Sequence, residues 1–275
     1  MGVSKIRNYR KLFPYSGGQS HLLPTLLPLI PEHKLYLEPF CGSATVLWNK
    51  MRSTQEVVND KDDQLINMLR VVKENPDELK PRLGMPSSED LFYKYQKEIK
   101  TETDPVRKAG MYLYRINSSW SGTSKRDSSF VPKTRNSSAS KIDQLDWFSK
   151  RLKDVCIENL DCVEAIKKYD AADTFVLADP SYRIVGKNLY EYSFTDSDHI
   201  RLAKAFKEMK GKFLITYNND KFIQLIYKNY PQIVVKTAKT MDKAHTNTTE
   251  EHRLIANFDI IHRKFPHFTG TYFKP

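Results

Sequence analysis

The sequence is poor in cysteine, glycine and long apolar runs, and each shortage removes a class of protein. Three cysteines in 275 residues, Cys41, Cys156 and Cys162, make no paired framework and no zinc-ligand spacing. Neither a disulfide scaffold nor a zinc module is expected, and a reducing compartment is the simplest reading. The ten glycines include no G-x-G-x-x-G run, which argues against a nicotinamide enzyme. No segment approaches the roughly 20 apolar residues of a membrane helix. The N-terminal "MGVSKIRNYRKLFPYSGG" is basic without the apolar stretch of a signal peptide, and Met1-Gly2 followed by Lys5 and Ile6 is a poor myristoylation signal. A cytoplasmic protein with no membrane partner is expected.

Acidic residues are also in the minority. Lys and Arg number 44 against 33 Asp and Glu, a net charge of +11. Such an excess suggests a polyanionic partner, nucleic acid first; a basic surface kept for solubility is the alternative. What is present in quantity is core material, 40% hydrophobic and 12% aromatic residues. At this length they fit one large domain, or one domain with an insertion.

The chain alternates strand-like and helix-like segments. "KLYLEPF", "EVVND", "DVCIENL", "TFVLADP" and "GKFLITYN" read as strands. "ATVLWNKM", "DSDHIRLAKAFKEMK" and "DKFIQLIYKNY" read as helices, as does "DDQLINMLRVVKEN", with Leu65, Ile66, Leu69 and Val72 on one face and Pro76 ending it. "QIVVKTAKT" and "HRLIANFDI" fit a terminal hairpin. Alternation of this kind predicts an α/β fold, a largely parallel sheet covered by helices on both faces. Residues 76–149 change character. Helical patches, "SEDLFYKYQKEIK" and "DPVRKAGMYLYRIN", precede the stretch Asn117 to Lys141, which is dense in Ser, Thr and Asn and carries five Lys/Arg against one Asp. That stretch reads as a loop within an inserted subdomain, so residues 1–75 and 150–275 are expected to form the main domain.

In such sheets ligands sit beyond the C-terminal ends of the strands, where strand order reverses. Three strand ends carry unusual chemistry. Glu38-Pro39-Phe40-Cys41-Gly42-Ser43-Ala44 runs from a strand through a glycine turn into a helix, which lets backbone amides approach a ligand; it also fits a plain tight turn. Asn59-Asp60 ends the second strand, where a carboxylate can accept from a ribose diol or cap the next helix. Asp179-Pro180-Ser181-Tyr182 ends another. Proline fixes its own φ and biases the residue before it towards extended backbone, so the Asp179 carboxylate and the Pro180 carbonyl become two acceptors in fixed relation. An aromatic amine could span them, with Tyr182 stacked on its ring; an ordinary turn with a surface tyrosine is the plainer alternative.

In their order, these parts resemble the Dam-type adenine-specific DNA methyltransferases, over nearly the whole chain. "YSGGQS" (Tyr15 to Ser20) is similar to that family's N-terminal cofactor motif, "EPFCGSATV" to its glycine turn and "VVNDKDDQLINMLR" to its ribose-binding segment. "NSSWSGT" lies where its target-recognition insert carries an Asn and a Gly. "NLDCVEAI" precedes the catalytic strand, "ADPSY" occupies the Asp-Pro-Pro-Tyr position and "EEHRLIANF" resembles the closing strand. The resemblance implies a Rossmann-like, seven-stranded, mostly parallel methyltransferase sheet, S-adenosylmethionine as cofactor and adenine in double-stranded DNA as substrate. It also implies a cytoplasmic enzyme of a bacterial or phage-infected cell, a monomer or weak dimer, with no metal needed.

Carried over residue by residue, the resemblance implies that Tyr15, Gln19, Glu38, Phe40, Gly42, Asp60, Asp161, Cys162 and Asp179 meet the cofactor. Asp179, Pro180, Ser181 and Tyr182 form the catalytic motif. Asn117, Trp120, Lys125, Arg126, Lys133 and Arg135 are the expected DNA contacts, and Arg183 to Phe194 a flap over an extruded base. Three departures stand out. Gln19 replaces the family's usual lysine and keeps hydrogen bonding without charge. Ser181 replaces the second proline, which implies a less rigid loop and lowered activity. Cys162 replaces a frequent aromatic and weakens stacking on the cofactor's adenine. A methyltransferase acting on cytosine's exocyclic amine or on RNA adenine fits similar strand ends, and a catalytically silent DNA-binding relative is a reading of another class.

Overall fold

The computed structural model describes residues 9–15, 17–83, 85–119, 122, 128–132, 136–183, 194–238, 249–262 and 271–273. A short 3-10 turn (Gln19–His21) leads into α1 (Leu23–Leu29), β1 (Leu35–Glu38), α2 (Thr45–Asn49), β2 (Gln55–Asn59) and α3 (Asp63–Glu74). Four helices follow: α4 (Pro76–Leu83), α5 (Glu89–Glu98), α6 (Pro105–Asn117) and α7 (Asn136–Leu152). The alternation then resumes with β3 (Val155–Glu158), α8 (Cys162–Tyr169), β4 (Thr174–Ala178), α9 (Asp196–Glu208), β5 (Lys212–Asn218), α10 (Lys221–Ile226), β6 (Gln232–Ala238), β7 (Thr249–Ala256) and β8 (Thr271–Phe273).

The strands form one sheet in the order β3-β2-β1-β4-β5-β7-β6-β8. From β3 to β5 the neighbours are parallel, and β7 enters antiparallel to both β5 and β6. Seven of these strands are the expected set; the short β8, without a clear sequence signal, adds antiparallel to β6 at the edge. The strand β4 is buried along its whole length, as befits a central parallel strand covered on both faces. Its side chains alternate between two cores. Phe175 and Leu177 join the large cluster under α1, α2, α3, α6 and α7, and Val176 and Ala178 join the cluster under α8, α9 and α10.

Local signals explain most helix boundaries. Asp62 caps α3, its carboxylate accepting from the Gln64 and Leu65 amides; Asp60, weighed as a cap from sequence, is turned elsewhere. Ser88, Asp104 and Asp161 cap α5, α6 and α8, and Thr195 and Asp198 form a reciprocal capping box on α9. Pro76 ends α3 as expected but also opens α4, where its missing N–H costs nothing.

The loop expected up to Lys141 ends earlier, because α7 begins at Asn136. Ser and Asn are weak helix formers, but Leu145, Phe148 and Leu152 further along this helix are buried in the large cluster, and packing overrides propensity. That helix runs through residue 150, and with α6 it shares the apolar cluster that covers the sheet. Elsewhere in residues 76–149, Phe92 of α5 is buried outside both clusters and packs against Phe130.

Candidate active site

The strand order reverses between β1 and β4. A cleft of about 330 Å³ opens at their C-terminal ends. Twelve residues singled out from the sequence line it: Tyr15, Gln19, Glu38, Phe40, Gly42, Asp60, Asp161, Cys162, Asp179, Pro180, Ser181 and Tyr182. They come from five separate segments, and the sheet topology brings them together. Asn117 ends α6, half-buried and outside the cleft lining. Trp120, Lys125, Arg126, Lys133 and Arg135 lie outside the described residues, as does most of the expected flap, residues 184–193.

The turn after β1 is stapled from below. The Asn59 side chain donates to the Pro39 and Leu160 carbonyls and accepts from the Leu160 amide, joining the ends of β1 and β3. Gly42 sits at φ +47°, and a Cβ there would fall 2.9 Å from the Tyr15 ring; only glycine allows this approach. Two residues on, Ala44 also adopts the left-handed region, at φ 52°. Gly122, from the middle of residues 76–149, sits at φ +68°, and its Cβ would meet the Pro14 carbonyl oxygen at 2.4 Å. The stretch that carries the expected DNA contacts thus touches the segment leading to Tyr15.

Six acids among the described residues line the cleft, Asp198 of the α9 capping box and five others, each in its own setting. Asp60 accepts from the Gly42 amide at 2.9 Å and the Asp62 amide at 3.0 Å. Burial raises its pKa, against the pull of those amides. Burial also pushes Asp62 up to about 6, and the buried Tyr112 hydroxyl of α6 donates to it at 3.4 Å. Glu38, fully enclosed, is pushed up to about 7 by burial and accepts from the Tyr36 hydroxyl at 2.7 Å. Asp161 goes the other way: the Arg201 guanidinium grips both its oxygens, at 2.7 and 2.8 Å, and holds its carboxyl below the usual range. Beside it the Cys162 thiol, pushed up to about 12 by burial, stays neutral and serves as apolar wall.

Asp179 occupies the position after β4. The Thr216 hydroxyl on β5 donates to it at 2.6 Å, and the Gln19 amide donates to Thr216, also at 2.6 Å. Both of these side chains are buried. Burial raises the Asp179 pKa to about 7, against the hydrogen bonds from Thr216 and Gln19. Gln19, which departs from the resembled pattern, is therefore a hydrogen-bonded brace on the acid. Tyr182 leans on β7, its hydroxyl 3.2 Å from the Nδ1 of His252. Thr216, Arg201 and His252 escaped the sequence reading. Thr216 and His252 are polar positions inside apolar strands, which is a faint signal; Arg201 gives none, being one more charge on an exposed helix face.

A catalytic-type acid and proline at the switch point, beside a glycine turn and a second-strand acid, form an arrangement that can be compared with known proteins. A family model described as D12 class N6 adenine-specific DNA methyltransferase matches residues 15–241, a span that contains every described residue lining the cleft. The chain belongs to the D12 class of N6 adenine-specific DNA methyltransferases. Its relatives carry matching names. The Type II methyltransferase M.MjaIII of Methanocaldococcus jannaschii is 26% identical over 261 residues, covering 81% of this chain and 90% of the relative. The Type II methyltransferase M1.LlaDCHI of Lactococcus lactis is 25% identical, over 85% of this chain and 89% of its own. The DNA adenine methylase of Serratia marcescens is 24% identical across 91% of this chain and 99% of its own length. This D12-class protein is thus an adenine-specific DNA methyltransferase, which decides between the adenine and cytosine amines left open by the strand-end chemistry. No helix among its described residues is long and apolar enough to cross a membrane.

Proposed function

We propose that the cleft binds S-adenosylmethionine and receives the target adenine of duplex DNA, with Asp179 and the Pro180 carbonyl holding the adenine's 6-amino group. The observation that carries this reading is the junction of Asp179 with Asp60 and Asp161 in one cleft, on three different strand ends. The donor set suits the cofactor. A cleft rich in carboxylates fits a sulfonium cation bearing a ribose diol and an ammonium group. Phe40, Val46, Leu177 and Cys162 supply apolar wall. Asp60, anchored by two backbone amides, keeps acceptor capacity for ribose hydroxyls.

When bound, S-adenosylmethionine supplies an electrophilic methyl group. The chain's own residues deal with the amine. Its lone pair is delocalised into the purine ring and makes it a weak nucleophile. Hydrogen bonds from its two N–H groups to Asp179 and to the Pro180 carbonyl draw the nitrogen towards tetrahedral geometry and free that lone pair. As positive charge grows on the nitrogen, the fixed Asp179 carboxylate offsets it without reorganising, and it is placed to accept the proton that must leave. Thr216 and Gln19 keep the carboxylate from rotating. A base inside a duplex cannot reach this cleft, so the adenine must leave the stack, at a cost of a few kcal/mol; Tyr182 offers its ring as the new stacking surface. Residues 76–149, with Asn117 and the basic positions after it, are assigned the DNA contacts.

Calorimetry with Asp60→Ala tests the cofactor half. Losing a charge-assisted pair of hydrogen bonds should weaken S-adenosylmethionine binding by roughly 10- to 100-fold, with the fold retained. Unchanged affinity would remove the cofactor from this cleft. Tritium transfer from labelled S-adenosylmethionine to adenine-only and cytosine-only duplexes, and to RNA, tests the substrate half: label should appear in N6-methyladenine of duplex DNA.

A further inference from the structure

One cluster beside the cleft has no part in the scheme so far. His252 on β7 is 2% exposed. Its Nδ1 meets the Tyr182 hydroxyl at 3.2 Å. Its Nε2 meets the Thr237 hydroxyl of β6 at 3.0 Å and the Nε2 of His21 at 3.3 Å. Both ring nitrogens are therefore used, whichever carries the proton, and the ring has no freedom to turn. Glu250 lies 3.9 Å from the same Nε2. Burial, with His21 adding to it, lowers the His252 pKa to about 4, so the imidazole is neutral at neutral pH and is a hydrogen-bonding brace with no charge to offer.

The register shows why this brace sits where it does. Thr216 pairs with Leu254, and Asn218 pairs with His252, across β5 and β7. Directly opposed residues share a face, as do residues two apart, so Thr216 and His252 project from the same side of the sheet. One supports the start of the Asp179-Pro180-Ser181-Tyr182 motif and the other its end. The turn Gln19–His21 reaches both, through Gln19 to Thr216 and through His21 to His252. The motif has serine at 181, a residue that fixes no backbone angle, so its far end depends on side-chain anchoring to hold its geometry.

We propose that His252 is a positioning residue for base capture: braced by His21 and Thr237, it holds the Tyr182 ring in the orientation that stacks on the extruded adenine. This rests on the proposed function, in which Tyr182 is the stacking surface. A ring already fixed in its bound orientation loses less freedom when the base arrives, so the brace acts on capture of DNA and leaves cofactor binding alone.

The test uses the full chain, tritiated S-adenosylmethionine and unmethylated plasmid DNA, with four variants. His252→Phe keeps the volume and removes both ring nitrogens. His252→Asn keeps a polar group at the Nδ1 position. Tyr182→Phe removes only the hydroxyl, at a half-buried position where folding is not at stake. The fourth variant combines His252→Phe with Tyr182→Phe. Loss of one hydrogen bond should lower kcat/KM for DNA by roughly three- to ten-fold in each phenylalanine variant. The double variant should be no worse than His252→Phe alone, because the contact that Tyr182→Phe removes is already lost in it. His252→Asn should stay within about two-fold of wild type, and S-adenosylmethionine affinity should not move in any of them. Losses that multiply in the double variant, a wild-type kcat/KM in Tyr182→Phe, or cofactor affinity falling in parallel would each overturn the proposal. A wild-type protein that methylates no adenine would instead bring down the reading beneath it, and the proposal with it.

Discussion

Asp179→Asn is expected to lower the single-turnover rate of methyl transfer by roughly 10²- to 10⁴-fold, with an intact fold by circular dichroism. The amide is nearly isosteric with the carboxylate, so the Thr216 contact and the shape of the cleft survive. What disappears is the negative charge opposite the amine and one acceptor for its N–H. The same variant should gain stability at alkaline pH. The folded-state pKa of Asp179 is raised by burial to about 7 from an ordinary value of 3.8. The protonated acid thus contributes stability that is full below the ordinary value and is lost as pH rises through about 7. Above that pH the native chain holds a buried carboxylate at a cost that asparagine does not incur. Melting temperatures should therefore favour Asp179→Asn at pH 8 and converge with wild type at lower pH. A variant that is inactive yet less stable at pH 8 would mean that the side chain is structural. A fully active one would remove Asp179 from the chemistry.

Glu56→Gln should destabilise the protein by about 3–5 kcal/mol, read from urea unfolding at pH 7. Glu56, on β2, is buried between two cations. Lys50 approaches its Oε1 at 2.5 Å; the Arg151 guanidinium meets Oε2 at 2.5 Å and Oε1 at 2.8 Å and also donates to the Leu47 carbonyl of α2. Lys50 in addition lies over the Tyr36 ring, 4.2 Å from its centroid. Burial alone would raise the Glu56 pKa, but the hydrogen bonds from Arg151 and Lys50 outweigh it and hold the carboxyl below its ordinary 4.5. Its contribution is therefore present above that value and lost as pH falls through the lowered one. Removing the single anion leaves two buried cations facing each other, which is far worse than losing one exposed pair. Because Arg151 belongs to α7, the cluster ties that helix to the helix that follows the Gly42 turn, and loosening it should weaken cofactor binding as well. A change below about 1 kcal/mol would show that water or a shifted side chain already neutralises the site.

Most of the fold could be read from the chain because its signals are local. Leu65, Ile66, Leu69 and Val72 fall on one helical face and are buried in the structure. The run Thr174–Ala178 has the continuous apolar character of a covered parallel strand. The cleft was legible for a related reason: its acids stand at strand ends, and topology carries strand ends to the switch point. What could not be read depends on contacts distant in sequence. Thr216 meets Asp179 across 37 residues and Gln19 across 197, and Arg201 grips Asp161 from 40 residues away. Thr216 is marked only faintly, as a polar residue in an apolar strand, and Arg201 not at all. The start of α7 failed for the opposite reason, since the local Ser and Asn signal is genuine but is overruled by the burial of Leu145, Phe148 and Leu152.

The ionised Asp179 is the centre of the account, and the pH dependence of kcat/KM, compared between wild type and Thr216→Val, tests it most directly. Asp62, at about 6, and Glu38, at about 7, titrate nearby, but Thr216 donates to Asp179 and to neither of them. Wild-type activity should rise with pH through about 7 as Asp179 loses its proton. Thr216→Val removes a donor that favours the carboxylate and should move that limb to higher pH while activity above it recovers. A limb that stays in place in Thr216→Val, or a flat profile in wild type, would contradict the account.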